Sequence, residues 1–305
     1  MYILLGIYCF FLLGLSFFYG RRSPDEVFLI AGRDRPAAHI LASKFSTSIG
    51  VGSFVTYTSY AYSFNLQGVL PLISGMTLGY LTFALWAVPK IRQFSMGQSF
   101  YTQGDLVRFI TVNEYARRLT DVVTIVIQFF WILLGLVGSA TVLEAFGIFS
   151  YEKALVLASS IVEGFLLLSG LRAVIVTDMV QTFLVSVLLP VVVLGLLWNG
   201  ERSVSDLLQT TAPHTVTVQH IAGLALYGGF SVFGLADRYQ LCYAARHEQA
   251  ARIGMSWVLL PIIGVLFLLL LIGLEALAQS PNLSTDLAFT ELLNHLLSAR
   301  WHHDL

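Results

Sequence analysis

Residues 44–54, Lys-Phe-Ser-Thr-Ser-Ile-Gly-Val-Gly-Ser-Phe, combine groups that could bind a cation or a polar solute. They lie within an apolar stretch, Ala38–Tyr62, that is long enough to cross a bilayer. Hydroxyl and freed backbone groups are costly where they face lipid, so we expect this segment to be buried in protein. We expect it to unwind at Gly50 and Gly52, where freed carbonyl groups could coordinate a cation or a substrate. The alternative is a continuous helix whose small residues let neighbouring helices approach closely.

A second candidate is Asp178, which lies inside another apolar stretch, Leu171–Trp198. An ionisable side chain within a membrane span is costly, and it is therefore a functional candidate by default. The alternative is that Asp178, six residues after Arg172, lies near the inner interface and is solvated or paired with an arginine there.

The composition indicates that membrane helices position these residues. The chain has 305 residues, of which 56% are hydrophobic and 11% charged, and its mean hydropathy is +0.77. Soluble domains carry about 25% charged residues. The net charge of −1 gives no indication of nucleic-acid binding. An enzyme is not expected, because the sequence lacks a nucleophile–base constellation, an H-E-x-x-H metal motif and a phosphate-binding loop.

Hydropathy predicts an all-α polytopic membrane protein with about eight transmembrane helices. Most lysine and arginine residues fall in loops that would then face the cytoplasm, which predicts an outer N-terminus, an outer C-terminal tail and a location in the plasma (inner) membrane. The predicted spans are Tyr2–Tyr19, Ala38–Tyr62, Val69–Val88, Leu119–Phe146, Tyr151–Gly170, Leu171–Trp198, Gln219–Tyr243 and Ile253–Leu277.

Glycine interrupts two of these spans, the second at Gly50–Gly52 and the seventh at Gly228–Gly229 and Gly234. Interrupted helices in corresponding positions of two halves indicate the binding site of a secondary transporter. In the third span, Gly75 and Gly79 are four residues apart, which predicts a close helix contact.

Four stretches resemble the sodium:solute symporter family. They are Phe28–Arg33, Ser43–Gly52, Ser169–Gln181 and Gln240–Arg252, and the Thr-Asp-x-x-Gln element at 177–181 is the most specific of them. The resemblance implies a partial five-plus-five inverted-repeat (LeuT-type) transporter fold. It divides the chain into an extra helix and loop (1–37), a first repeat (38–199), a partial second repeat (200–277) and a polar outer tail (278–305).

The resemblance also implies ligands. The carbonyl groups of Ser46 and Ile49 would bind sodium, and Asp178 would supply negative charge nearby. In the family, the eighth core helix supplies further sodium ligands, and the sequence has no apolar span after Leu277 from which to form it. A second chain that supplies the last core helices is therefore one alternative.

The resemblance places three solute-contacting residues at mid-membrane, Ser53, Phe230 and Ser231. Helical periodicity adds Gln128 and Trp131. Lys44 is either a cation surrogate that replaces sodium, or a lysine whose ammonium extends to the cytoplasmic interface, and we favour the second interpretation. The absence of another charge at this depth favours a neutral or zwitterionic solute.

The sequence thus predicts a secondary active transporter of the bilayer that moves a small organic solute, such as an amino acid, carboxylate, vitamin or sugar, in symport with sodium. Two alternatives are a transporter-like solute sensor or regulatory membrane protein, and an incomplete half of a split transporter. Nucleic acid is not an expected partner.

Overall fold

The computed structural model describes residues 2–20, 25–168, 170–199, 202–211 and 214–281. Within these ranges the chain is almost entirely helical. A 3-10 turn at Ala31–Arg33 precedes α3, and a π-helical segment at Phe83–Ala87 follows α4. The helices are α1 (Tyr2–Gly20), α2 (Asp25–Ile30), α3 (Ala37–Ser48), α4 (Val51–Thr82), α5 (Val88–Ser95), α6 (Gln103–Thr111), α7 (Glu114–Ala145), α8 (Tyr151–Leu168), α9 (Leu171–Asn199), α10 (Val204–Leu208), α11 (Val218–Gly234), α12 (Ala236–Ala244), α13 (Glu248–Trp257) and α14 (Leu259–Gln279).

Each predicted span coincides with one or two of these helices. Within the described residues, 4 helical segments are long and apolar enough to cross a membrane, or up to 5 if the bent pair α11–α12 is one span. The prediction of about eight also counted α1 and α8, and it treated the two arms of Val51–Ser95 as separate spans. The outer tail predicted at 278–305 lies outside the described residues from position 282 onward.

The helix breaks between Ser48 and Val51, as the sequence predicts. Ile49 (φ −121°, ψ 70°) and Gly50 (φ −96°, ψ 175°) leave the helical conformation. Gly52, however, does not unwind, and that part of the prediction was wrong. It belongs to α4, where an added Cβ would lie 2.8 Å from the Leu134 side chain, so its role is close contact with α7.

The helix α4 bends at Asn65, whose backbone adopts φ 47° and ψ −149°. The bend falls between the predicted second and third spans, Ala38–Tyr62 and Val69–Val88. The Asn65 amide stabilises the turn, because its oxygen accepts a 2.8 Å hydrogen bond from the Gln67 backbone amide. The arm before Asn65 contacts α14, where Gly273 lies against Ala61. The arm after Asn65 contacts α11.

Glycine residues form the contact between α11 and the second arm of α4. A Cβ at Gly75 would lie 2.0 Å from the Ala225 carbonyl oxygen, and one at Gly79 would lie 2.5 Å from that of Gly229. The predicted close helix contact is therefore confirmed. The predicted interruption at Gly228–Gly229 was wrong, because α11 is helical through this pair, whereas the one predicted at Gly234 was right, because α11 ends there. The break is at Leu235 (φ −99°, ψ 125°), where the axis bends by 43°.

Substituting Gly228 by valine should destabilise the protein by about 1–3 kcal/mol, because overpacking forces backbone or side-chain shifts. An added Cβ would lie 2.6 Å from the Leu72 carbonyl oxygen. The matched control is Gly223→Val on the same helix, where an added Cβ would meet nothing within 4 Å. Thermal unfolding in detergent checks the difference, and equal melting temperatures for the two variants would contradict the contact.

Candidate functional site

A cavity of about 350 Å³ lies between the two helix breaks. Both breaks contribute to its wall, with Thr47, Ser48 and Gly50 on one side and Leu235 on the other. The helix α7 closes a third side. The cavity thus lies where the backbone of both helices departs from helical geometry and polar groups become accessible. Its aromatic and apolar lining includes Tyr57, Leu72, Met76, Trp131, Ile132 and Tyr227, and its polar lining includes Lys44, Ser53, Gln128, Ser231, Asp237 and Arg238.

Four of the five residues predicted to contact solute line this cavity, namely Ser53, Gln128, Trp131 and Ser231. The Ser53 hydroxyl donates a 3.0 Å hydrogen bond to the Ser48 carbonyl and so spans the break. Phe230 is the exception, because its side chain is 72% exposed and lies outside the cavity. On α11 the cavity-lining residues are Tyr227 and Ser231, one turn apart, and Phe230 points about 100° away from Ser231.

Lys44 does not extend to the membrane interface, and that interpretation was wrong. Its side chain is only 2% exposed, and its ammonium forms an ion pair with the Asp237 carboxylate. The Thr47 hydroxyl lies beside the pair, 3.4 Å from Lys44 Nζ and 3.5 Å from Asp237 Oδ2. Asp237 is the second residue of α12 and Lys44 belongs to the last turns of α3, so the ion pair joins the two breaks.

Arg238 is a further buried charge, with a relative exposure of 3%. Its guanidinium carbon lies 5.0 Å from the centre of the Tyr80 ring, and Nη2 donates a 3.1 Å hydrogen bond to the Tyr80 hydroxyl. That hydroxyl is 3.3 Å from Ser48 Oγ, at the end of α3. Arg238 is therefore connected to the first break through Tyr80.

The sequence analysis missed Asp237, Arg238 and Tyr80 as site residues. It counted Arg238 among the lysine and arginine residues of cytoplasmic loops, because a charge there fits the positive-inside pattern. The expectation that Lys44 is the lone charge at this depth was therefore wrong. The sequence did contain a signal for these residues, namely the adjacent charges of Asp237 and Arg238 directly after the glycine-rich segment that ends at Gly234. Charged side chains beside a helix interruption in a membrane must find partners within the protein.

A second polar contact joins α3 to α9 through the Thr-Asp-x-x-Gln element. The Ser43 hydroxyl donates a 2.5 Å hydrogen bond to Asp178, and the Ser46 hydroxyl donates one of 2.8 Å to Gln181. Thr182 donates to the Ala42 carbonyl at 2.8 Å. Asp178 is 6% exposed and takes part in none of the ion pairs found in the described residues, so the alternative of a solvated or arginine-paired carboxylate is not supported.

The predicted sodium ligands lie at the end of α3. The Ser46 carbonyl accepts a 3.3 Å hydrogen bond from the Ile49 amide, and Ile49 itself occupies the break. The described residues contain no group of three or more His, Cys, Asp or Glu that could hold a metal ion. A cation at this place would therefore depend on backbone carbonyls, hydroxyls and the single carboxylate of Asp178. Such oxygens suit sodium, and unwound backbone provides them in secondary transporters.

Two interrupted helices beside a central cavity define a class of helical membrane transporters. A sequence model of the sodium:solute symporter family matches residues 28–297, and the chain belongs to this family. It is an integral membrane protein of a family of transporters rather than enzymes.

The comparisons with individual proteins agree with this family assignment. The chain is 24% identical over 296 residues to the sodium/pantothenate symporter of Haemophilus influenzae, which covers 92% of this chain and 61% of that protein. It is 23% identical over 265 residues to the high-affinity proline transporter PutP of Bacillus subtilis, which covers 81% of this chain and 55% of that protein. The chain thus spans less than two thirds of the length of these relatives.

The fold is similar to that of a Na+-coupled sialic acid symporter solved in a substrate-bound outward-open state. The TM-score is 0.77 at 12% identity, and the match covers 95% of this chain and 64% of that protein. This likeness confirms the LeuT-type fold that the sequence predicts.

Breaking the buried ion pair from one side should destabilise the protein by about 3–5 kcal/mol, because a buried charge is left uncompensated. We expect Asp237→Asn to be worse than Lys44→Met, since the first leaves Lys44 near Arg238 without a carboxylate between them. The double variant should cost clearly less than the sum of the two. Thermal unfolding of all four proteins measures this cycle, with Lys90→Met at an exposed lysine as the control. Strict additivity would show that the two side chains do not interact.

Proposed function

We propose that this chain acts as a secondary transporter that binds a small organic solute in the cavity between the two helix breaks. The observation that carries the proposal is that both breaks line the same cavity of about 350 Å³. Pockets for small molecules typically measure about 300–1,000 Å³. Ser53, Gln128, Trp131 and Ser231 are the proposed solute contacts.

The breaks support movement as well as binding. A helix that is interrupted at Ile49–Gly50 or at Leu235 can change the angle between its two parts without breaking a continuous hydrogen-bond ladder. The Lys44–Asp237 pair joins the moving parts across the cavity. A solute that contacts both breaks can therefore favour one relative orientation over another, which is the requirement for coupling binding to a conformational change.

We further propose sodium as the coupled ion, bound by the carbonyls of Ser46 and Ile49 with Asp178 nearby. The support is physical. A buried carboxylate that receives only hydroxyl hydrogen bonds remains uncompensated in charge, and a cation beside it lowers that cost. Lys44 does not take this role, because its ammonium is paired with a different carboxylate.

Blocking the cavity should abolish uptake without unfolding the protein. Gly135 lines the cavity, and an added Cβ there would meet nothing within 4 Å, so leucine would occupy cavity space. We expect Gly135→Leu to reduce uptake to the level of empty vesicles. Uptake of radiolabelled pantothenate, proline and sialic acid into proteoliposomes measures the effect.

The control for this variant is Gly264→Leu, at another open position outside the cavity lining. It should retain wild-type uptake. Full uptake by Gly135→Leu would refute the assignment of the cavity as the transport site. Binding of a solute without uptake by the wild-type chain would instead favour the solute-sensor alternative.

Removing the charge of Asp178 should weaken the response to sodium. We expect Asp178→Asn to raise the half-saturating sodium concentration for uptake at least about tenfold, which corresponds to about 1.4 kcal/mol. The control is Glu163→Gln, which changes an exposed carboxyl group on α8, the preceding helix in the chain. Uptake that does not depend on sodium in the wild type, or equal sodium dependence in the two variants, would contradict the sodium proposal.

A further inference from the structure

We propose that Arg238 binds the carboxylate of the solute, and that the solute is a monocarboxylate with an apolar or aromatic body. This inference rests on the proposed function, because it specifies which solutes the central cavity accepts. It differs from the expectation of a neutral or zwitterionic solute, which assumed no charge at this depth apart from Lys44.

The unused hydrogen-bonding capacity of Arg238 is the first observation. Its side chain is almost fully buried and lines the cavity. Nη2 donates to the Tyr80 hydroxyl, but Nε and Nη1 have no hydrogen-bond acceptor among the described residues. Nη1 lies 3.6 Å from Asp237 Oδ1, which is beyond hydrogen-bonding distance. Buried donors that stay unpaired are costly, so a ligand that supplies an acceptor there gains affinity.

The charge balance of the site is the second observation. Lys44 and Asp237 form a mutual ion pair, so their charges compensate each other. Arg238 then leaves the cavity with a net positive charge. An anionic group on the solute would neutralise this charge in surroundings of low polarity, where electrostatic attraction is strong. A carboxylate also accepts charge-assisted hydrogen bonds from guanidinium groups.

The remaining wall indicates what the carboxylate is attached to. Tyr57, Leu72, Met76, Trp131 and Tyr227 surround the cavity with aromatic and aliphatic surface. Inorganic phosphate or a strongly hydrated dicarboxylate would lose water against this wall without gaining polar contacts. Lys44 pairs with Asp237 Oδ2, and Asp237 Oδ1, which has no hydrogen-bond partner among the described residues, lies 3.6 Å from Arg238 Nη1. An ammonium group of the solute at Oδ1 would therefore lie close to the positive charge of Arg238, which disfavours it. The wall and the charges therefore favour one acidic group on an apolar body.

The test compares each acid with its neutral amide of nearly the same shape. The probes are benzoate and benzamide, phenylacetate and phenylacetamide, and 4-methylpentanoate and its amide. Equilibrium binding of radiolabelled probes to the purified full chain in nanodiscs measures each affinity. In at least one pair, the acid should bind about 30-fold or more tightly than the amide, as expected for a buried charge pair.

Variants of Arg238 test whether this residue causes the preference for the acid over the amide. Arg238→Gln should weaken binding of the preferred acid about 30-fold or more and leave amide binding within about twofold. Arg238→Lys, which keeps the charge but loses the guanidinium geometry, should be intermediate. Arg108→Gln, at an exposed arginine on α6, is the matched control and should bind like the wild type. Thermal unfolding of each variant verifies that it is folded.

The acid–amide comparison on the wild-type chain needs no variant, so the inference stays testable if Arg238→Gln does not fold. An absence of acid preference in all three pairs would overturn it, as would a preference that survives in folded Arg238→Gln. Uptake of neutral solutes alone would leave the proposed transport function intact and refute only the carboxylate site. Binding of acids without uptake of any solute would support the carboxylate site and contradict transport.

Discussion

The ion pair between Lys44 and Asp237 is the constraint that holds the centre of the molecule together. The Lys44 side chain is 2% exposed and that of Asp237 is 20% exposed, so the Lys44 charge in particular would be strongly unfavourable without its partner. Because Lys44 precedes the break in one helix and Asp237 follows the break in another, the pair fixes the two breaks at the same level. The cavity between them, its polar rim and the position of Arg238 all depend on this alignment.

Much of the architecture could be predicted, because local patterns determine it. Hydropathy indicated the helices, the small residues at Gly75 and Gly79 indicated a close contact, and the hydroxyl-rich segment before Gly50 indicated the first break. Glycine pairs were harder to interpret, since the same residue permits both unwinding and close packing. Gly52 and Gly228 turned out to serve packing, and only their neighbours in the folded protein decide between the two uses.

The site itself was less predictable, because its main contacts join residues far apart in the chain. Ser53, Gln128, Trp131 and Ser231 could be proposed from their helices and from the resemblance. The partners of Lys44 could not, since Asp237 is 193 positions away and no local pattern relates the two residues. Charges near the end of a span also resemble loop residues in sequence, which concealed Arg238.

The glycine contact between α11 and the second arm of α4 has a mechanical meaning. Where Gly79 lies against Gly229, backbone touches backbone, and the side chains of Val232 and Met76 pack beside the glycines. A contact this tight leaves little free space, so α11 and the second arm of α4 should behave as one stiff unit. The bend at Asn65 separates this unit from the arm that is packed on α14. Any turning of one arm relative to the other is therefore expected at Asn65, where the helix is already interrupted.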